Sequence, residues 1–505
     1  MRNFLNLITK TILTLLSSKW TPWCIVSLFI LNTLWVALFY RYPLVFDENF
    51  HFQTIQAFTH TLWPAILDQP EKYDHLGSLA FGSASLYHYI LSFPLRFVEL
   101  FTTDLRTQIV SLRLINVALA ASGLLLYYKL FRELGIKKYL INTGLLVFAF
   151  IPLATYVAAT INYDNILLPL TALFFIYSNR LLAKKGKDTL LVIKVLTVGT
   201  LATLIKFTFL PLFVVALCYL AIVLIKDNGN YKKYWSLLIK SFKQIALSQK
   251  IVWISLLAFL LTLAGVRYGA SMVLYKSPIP DCSLIMKLER CEKNANYKIS
   301  RAALRDNSKA PVANPASYVQ NWFKTMAGGF AMTGANTPFH TNEAKESPPI
   351  YSTALTAGLI TGMIILLYMW RSLKFDRRYT FTLLCAIGLL GFTLLFNMLS
   401  YYQYRVDINV QPRYALSVLL IIVVFSTVAV NALLRQHRTS KVLLLIGLLC
   451  ITVQGGGAIT HIISSKPYWY WDGDSAIQEI QSDAHKALQP VVKEEIFYVP
   501  DASEK

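Results

Sequence analysis

Residues 25–40 read IVSLFILNTLWVALFY, and shortly afterwards the chain reads Asp47-Glu48-Asn49-Phe50-His51-Phe52. With the residues just ahead of it, the first stretch is long and apolar enough to cross a hydrocarbon core, which takes about 20 residues at about 1.5 Å each. The second places two carboxylates and an imidazole where that span ends. If the residues beyond Asp47 turn helical, Asp47 and His51 sit four apart on one face, with Glu48 one position round. Ionisable groups are costly at a water–lipid boundary, so such a cluster points to a site.

Working outward, apolar runs recur along all 505 residues; 55% of the chain is hydrophobic and 15% charged. Mean hydropathy is +0.49, whereas a soluble protein carries about 25% charged residues. The chain reads as a polytopic membrane protein. Its net charge of +21 lies largely in short loops, where Lys and Arg orient helices against an anionic leaflet. No basic, aromatic-studded soluble domain is present to bind nucleic acid, and that partner is excluded.

Spans are expected at roughly 21–40, 108–129, 139–159, 165–182, 188–206, 207–226, 251–275, 350–370, 379–400, 413–434 and 441–463. The fifth and sixth are short and meet at Lys206, as in a hairpin that does not fully cross. Residues 2–18 carry an apolar stripe beside Arg2 and Lys10 and read as an interfacial helix; a cleaved signal peptide would need an A-x-A-like site that does not follow. Placing the N-terminus in the cytoplasm puts Lys129, Arg132, Lys137 and Lys138 there. Lys184, Lys185 and Lys187, the basic residues from Lys226 to Lys250, then Arg377, Arg378, Arg435 and Lys441 fall on the same side.

The outside then receives 41–107, 276–349, short loops near 160–165 and 401–412, and the tail 464–505. In the first loop, Phe52, Ile55, Phe58, Leu62 and Ile66 keep a helical spacing, as do Leu86, Ile90, Phe93, Phe97 and Leu100. Two amphipathic helices on the outer leaflet are expected, interrupted by Pro64 and Pro94. Cys282 and Cys291 lie together in the long loop, where a disulfide is expected if the compartment is oxidising. Cys24, Cys218, Cys385 and Cys450 lie in apolar runs and read as buried side chains. Tyr468-Trp469-Tyr470-Trp471 reads as an interfacial aromatic belt, followed by a short helix and a strand.

The polar residues on the outer side form one set: Asp47, Glu48 and His51; Asn162-Tyr163-Asp164-Asn165; Lys206; and Gln411-Pro412-Arg413-Tyr414. Acids and fixed cations at one depth suit a phosphorylated, partly lipidic substrate. The cations hold phosphate, while the acids act as base or hold a divalent ion such as Mg or Mn, with Asp47, Glu48 and Asp164 as candidate ligands. Each residue also has a bland reading. Asp47, Asn162 and Asp164 could cap helices, Lys206 and Arg413 could anchor by snorkelling, Gly328-Gly329 could be a bend, and Asp472 and Asp474 could be surface turn residues. There is no Walker A motif, no dinucleotide fingerprint and no H-E-x-x-H. Arg113, Arg180, Lys194 and Arg267 lie near span ends rather than at mid-depth, which weakens a transporter.

In its acidic motif after the first span, its long first outer loop and its second Asp between the third and fourth spans, the chain resembles the GT-C glycosyltransferases. These include the protein O-mannosyltransferases and the bacterial aminoarabinose transferases. More narrowly, Asp47-Glu48-x-x-His51-Phe52, Asn162-x-Asp164 and Arg413-Tyr414 are similar to the bacterial membrane family called domain of unknown function 2142. That pattern has prolines where Phe46 and Asn49 stand and a glycine where Pro412 stands; the likeness in layout covers about residues 20–460. The resemblance implies inverting transfer of a sugar from a polyprenyl-phosphate carrier to an acceptor on the outer face. It makes Asp47 the catalytic base, Glu48 and Asp164 supporting acids, and Lys206 and Arg413 the groups that neutralise the departing phosphate.

The expected architecture is therefore an all-α, GT-C-like polytopic membrane domain over 1–463 with about 11 spans, two interfacial helices and a small extracytoplasmic portion. An extracytoplasmic tail over 464–505 follows. The expected catalytic residues are Asp47, Glu48 and Asp164; His51, Asn162, Lys206, Gln411, Arg413 and Tyr414 are the substrate-binding set. The donor partner is a polyprenyl-phosphate-linked sugar; the acceptor is an envelope polysaccharide, glycolipid or protein; the location is the inner membrane. The other readings are a transporter or flippase of lipid-linked glycans, and a polysaccharide polymerase or ligase.

Overall fold

Long apolar runs of about 20 residues satisfy their backbone groups within the segment by forming helices. The computed structural model describes residues 2–44, 47–66, 69–79, 85–306, 314–330, 349–370, 373, 376–404, 410–435, 440 and 469–488. Its helices, in order, are α1 (Arg2–Ser17), α2 (Thr21–Phe39), α3 (Glu48–Phe58), α4 (Ser85–Glu99), α5 (Leu105–Glu133), α6 (Lys138–Ala149) and α7 (Pro152–Ala158). There follow α8 (Asp164–Ala183), α9 (Thr189–Ile205), α10 (Leu210–Asp227), α11 (Tyr231–Lys243), α12 (Leu247–Ala264), α13 (Ala270–Tyr275), α14 (Cys282–Ile285) and α15 (Leu288–Cys291). The last are α16 (Ala295–Asp306), α17 (Pro315–Gly329), α18 (Pro349–Met369), α19 (Arg377–Tyr404), α20 (Leu416–Leu433) and α21 (Ser475–Leu488).

Among the described residues, 7 helices are long and apolar enough to cross a membrane, or up to 8 if one bent pair counts as a span. The protein is an integral membrane protein; the expected count of about 11 is not reached among these residues. The third expected span, 139–159, is α6 and α7 bent by 71°, because Pro152 has no N–H to continue the first helix. The fifth, α9, has 17 residues and stops at Lys206, whose backbone is extended. The eleventh, 441–463, lies outside the described residues, as do Cys450 and Tyr468.

The central pair is α5 and α8, flanked by α2, α9 and α20. Gly123 permits this approach: a Cβ there would stand 2.8 Å from the Leu168 Cβ and 3.2 Å from Pro169. From Leu416 to Phe425, α20 is buried on all sides, whereas α12 is largely exposed and forms an apolar edge suited to lipid.

Several expectations are corrected. α3 buries Phe52, Ile55 and Phe58 in the protein rather than lying on a leaflet. α4 runs through Pro94, which removes one backbone bond without ending the helix; its Phe93 and Phe97 are exposed while Leu91 and Leu95 are buried. Cys24 and Cys218 are exposed on the bundle surface, and Cys385 alone of the three is buried. The aromatic belt is in fact a clasp. Trp469 and Tyr470 are buried against Tyr40 at the end of α2, Tyr40 and Tyr470 form an antiparallel bridge, and the Arg41 N–H donates to Trp469 O at 2.7 Å. Asp474, rather than idling in a turn, accepts two bonds of 2.8 Å from Arg106, whereas exposed Asp472 pairs with Arg41. The disulfide Cys282–Cys291 is formed.

Candidate active site

The site is assembled where α2 ends. Arg113, on α5, donates to the Ala37 and Tyr40 carbonyls at 3.2 and 2.6 Å, groups that the end of α2 leaves without helical partners. Its Nε and Nη2 grip both oxygens of Glu48 at 2.8 and 2.7 Å, and both side chains are fully buried. Glu48 also accepts from Leu44 N at 2.7 Å and Ile161 N at 3.2 Å. One bidentate pair thus joins α2, α3, α5 and the turn before α8. All the acceptor capacity of Glu48 is committed to these four bonds.

Asp47 precedes α3 with φ 66°, a left-handed conformation that Asp tolerates better than most residues. It makes no helix-capping bond through its side chain; its carboxylate instead pairs with Arg413. The Arg413 side chain is 1% exposed and that of Asp47 47%, so the acid reaches solvent while its cation is buried. Arg413 Nε also donates to Gln411 Oε1 at 2.6 Å. Its turn, Pro412–Ala415, is pressed against the end of α17: a Cβ on Gly329 would stand 2.2 Å from Pro412 Cγ. Gly329 therefore serves close packing within a helix and is neither a bend nor a phosphate cradle.

The second acid is set by a short turn. Asn162 Oδ1 accepts from Asp164 N at 2.9 Å, and Asn165 Nδ2 donates to Val157 O, Thr160 O and Asn116 Oδ1 at 2.9, 3.0 and 3.1 Å. Asp164 opens α8, where the helix dipole favours an anion. One of its oxygens pairs with Lys206; Oδ2 is buried without a partner. The Lys206 ammonium sits between two rings, 4.5 Å from the Tyr163 centroid and 4.4 Å from that of Tyr414. Arg413 lies 5.6 Å from the same Tyr414 ring. Asp47, Arg413, Tyr414, Lys206 and Asp164 consequently form one continuous chain of contacts, and neither buried cation is a snorkelling anchor.

His51 adjoins this chain through Tyr163, fully buried, with Nδ1 2.9 Å from His88 Nε2 and its ring 4.6 Å from and edge-on to Tyr163. Its Nε2 is buried with no partner. Burial, then the positive fields of His88, Arg413 and Lys206, hold its pKa well below the usual histidine value, so the ring is neutral at pH 7.

Sequence reasoning placed Arg113 near a span end without its partner, and missed His88, Asn116 and Tyr87, whose hydroxyl donates to Asn116 Oδ1 at 2.8 Å. An arginine inside an apolar run calls for a buried acid, a rule that would have sought the partner of Arg113; His88 carried no comparable signal. Asp47, Glu48 and Asp164 each face a different cation. The described residues hold no group of three His, Cys, Asp or Glu placed for a metal ion.

Fold and site together define an all-helical integral membrane protein with acids and cations converging near the ends of its spans. No family model and no curated protein matches the chain. Among solved structures it is similar to ArnT from Cupriavidus metallidurans in the apo state, at 13% identity and a TM-score of 0.29, over 84% of this chain and 78% of that one. It is also similar to ArnT from the same organism bound to undecaprenyl phosphate, at 12% identity and a TM-score of 0.31, over 96% and 91%. At these values the likeness assigns neither a family nor a chemistry.

Proposed function

We propose that this chain is an inverting glycosyltransferase that moves a sugar from a polyprenyl-phosphate carrier to an envelope polysaccharide, glycolipid or protein. The site would face the outer side of the inner membrane, with the N-terminus in the cytoplasm, in keeping with basic loops gathered on the opposite side. The observation that carries the reading is a half-exposed carboxylate, Asp47, paired with buried Arg413, and joined through the Tyr414 ring to a second buried cation, Lys206, which pairs with Asp164.

The chemistry follows from charge. Asp47 takes the proton of the acceptor hydroxyl as its oxygen bonds to the anomeric carbon opposite the phosphate. The carbon–oxygen bond to the carrier breaks, its electron pair stays on the phosphate oxygen, and Lys206 and Arg413 neutralise the added charge. Without donor, each cation is matched by its own acid. A seated phosphate draws Arg413 from Asp47 and leaves the carboxylate uncommitted, so the base is released when there is a sugar to transfer.

Asp47→Asn keeps size and exposure and should leave folding intact. Transfer of radiolabelled sugar from the carrier should fall by about 10²–10⁴-fold, with polyprenyl-phosphate binding retained or tightened because Arg413 has lost its competitor. Near-normal transfer rejects Asp47 as the base.

A further inference from the structure

The face of α3 turned away from the core carries Asn49, Gln53 and Gln56 at positions i, i+4 and i+7, one stripe of a helix, and His60 follows in the turn just beyond it. That stripe starts beside Asp47 and leads to a cavity of about 350 Å³, lined by Gln53, Gln56, Thr59, His60, Lys72, Tyr73, His75 and Glu99. The volume falls within the usual range for small-molecule sites, about 300–1,000 Å³. Measured along the helix, Gln53 lies about 9 Å beyond Asp47 and Gln56 about 13–14 Å.

The cavity is built, not incidental. Its far wall is the turn Glu71–Leu76, tied to α3 by the contact of His75 Nε2 with Gln53 Oε1. From behind, the fully buried Asp74 accepts from Arg290 at 2.6 and 2.9 Å and from Lys293 at 3.0 Å. These bonds hold its carboxyl below the usual carboxylate range. Arg290 precedes Cys291 of the disulfide, and Asn294 Nδ2 donates to His75 O at 2.9 Å. Gln69 closes the turn through Tyr73 O and Gly77 O, both at 2.9 Å.

We infer that this groove on the outer face of α3 is the acceptor subsite, and that its ligand is a neutral saccharide. The inference rests on the transferase reading and names the acceptor class for it. Two carboxamides, two imidazoles and two hydroxyls offer donors and acceptors side by side, as polyol recognition requires. The single ammonium, Lys72, is offset by the single carboxylate, Glu99, so a phosphate is better served by Lys206 and Arg413. An acyl chain finds no apolar wall. A peptide is usually held along a strand edge, and no strand lines this cavity. A short glycan held along Gln53 and Gln56 would present its end to Asp47.

The test uses the full chain in lipid nanodiscs and saturation-transfer NMR with neutral trisaccharides of glucose, N-acetylglucosamine, galactose and mannose. An uncharged hexapeptide is run alongside, and polyprenyl phosphate binding is measured separately. At least one trisaccharide should bind the wild type, and Gln53→Ala/Gln56→Ala should weaken it about tenfold or more, with polyprenyl phosphate affinity unchanged. Gln56→Trp, which fills the groove, should do the same. No saccharide binding, binding indifferent to both variants, or preference for the peptide overturns the inference. If saccharide binds as expected but polyprenyl phosphate does not bind the wild type, the transferase reading falls and the saccharide site stands.

Discussion

Replacing Glu48 with Gln separates a positioning acid from a catalytic one. In the wild type the carboxylate accepts four bonds, two from Arg113 and two from the Leu44 and Ile161 N–H groups. The amide keeps one oxygen for acceptance and turns its NH₂ towards groups that are themselves donors. Arg113 is left fully buried with the Ala37 and Tyr40 carbonyls and a neutral amide in place of its anion. Breaking one half of such a pair costs about 3–5 kcal/mol, a sizeable share of the about 5–15 kcal/mol that holds a typical protein folded. Arg113→Met should cost a similar amount by stranding the anion, and the double variant less than the sum, because neither charge remains to be desolvated. The assay is a double-mutant cycle on reversible unfolding in micelles, with sugar transfer measured on each variant. Stability of Glu48→Gln within about 0.5 kcal/mol of wild type, with transfer abolished, would refute the positioning role.

Gly329→Ala should cost about 1–3 kcal/mol by overpacking against the Pro412 ring; unfolding midpoints check it, and transfer should fall as the Arg413 turn shifts. His51, held below its ordinary pKa, binds fewer protons folded than unfolded. Its contribution to stability is therefore full above about pH 6.5 and is lost as pH falls towards the folded value. His51→Phe should flatten that acid slope in pH-dependent melting curves. Cys282→Ser/Cys291→Ser should release about 2–3 kcal/mol of loop constraint, seen as faster hydrogen exchange in 282–294 and in the Glu71–Leu76 turn.

The helices and the chemistry-bearing tips were largely legible, for a physical reason. A lipid core forces long apolar runs, and charged residues at their ends stand out against them; Asp47, Asp164, Lys206 and Arg413 were found this way, and they meet. The interior wiring was not legible. Arg113 and Glu48 are 65 residues apart, and no local period ties them. The bend of α6 into α7 depends on Pro152, in a run whose apolar composition reads equally well as straight. Trp469 and Tyr470 have the composition of an interfacial belt, and only the bridge to Tyr40 makes them core. For α3, helical spacing announced an apolar face but could not tell lipid from protein as the surface that covers it.

The most direct measurement is a cryo-EM map of the wild type in nanodiscs with polyprenyl phosphate. The phosphate should lie within hydrogen-bond distance of both the Lys206 ammonium and the Arg413 guanidinium, with Asp47 released from Arg413. Phosphate density elsewhere, with the Asp47–Arg413 and Asp164–Lys206 pairs intact, would contradict the account.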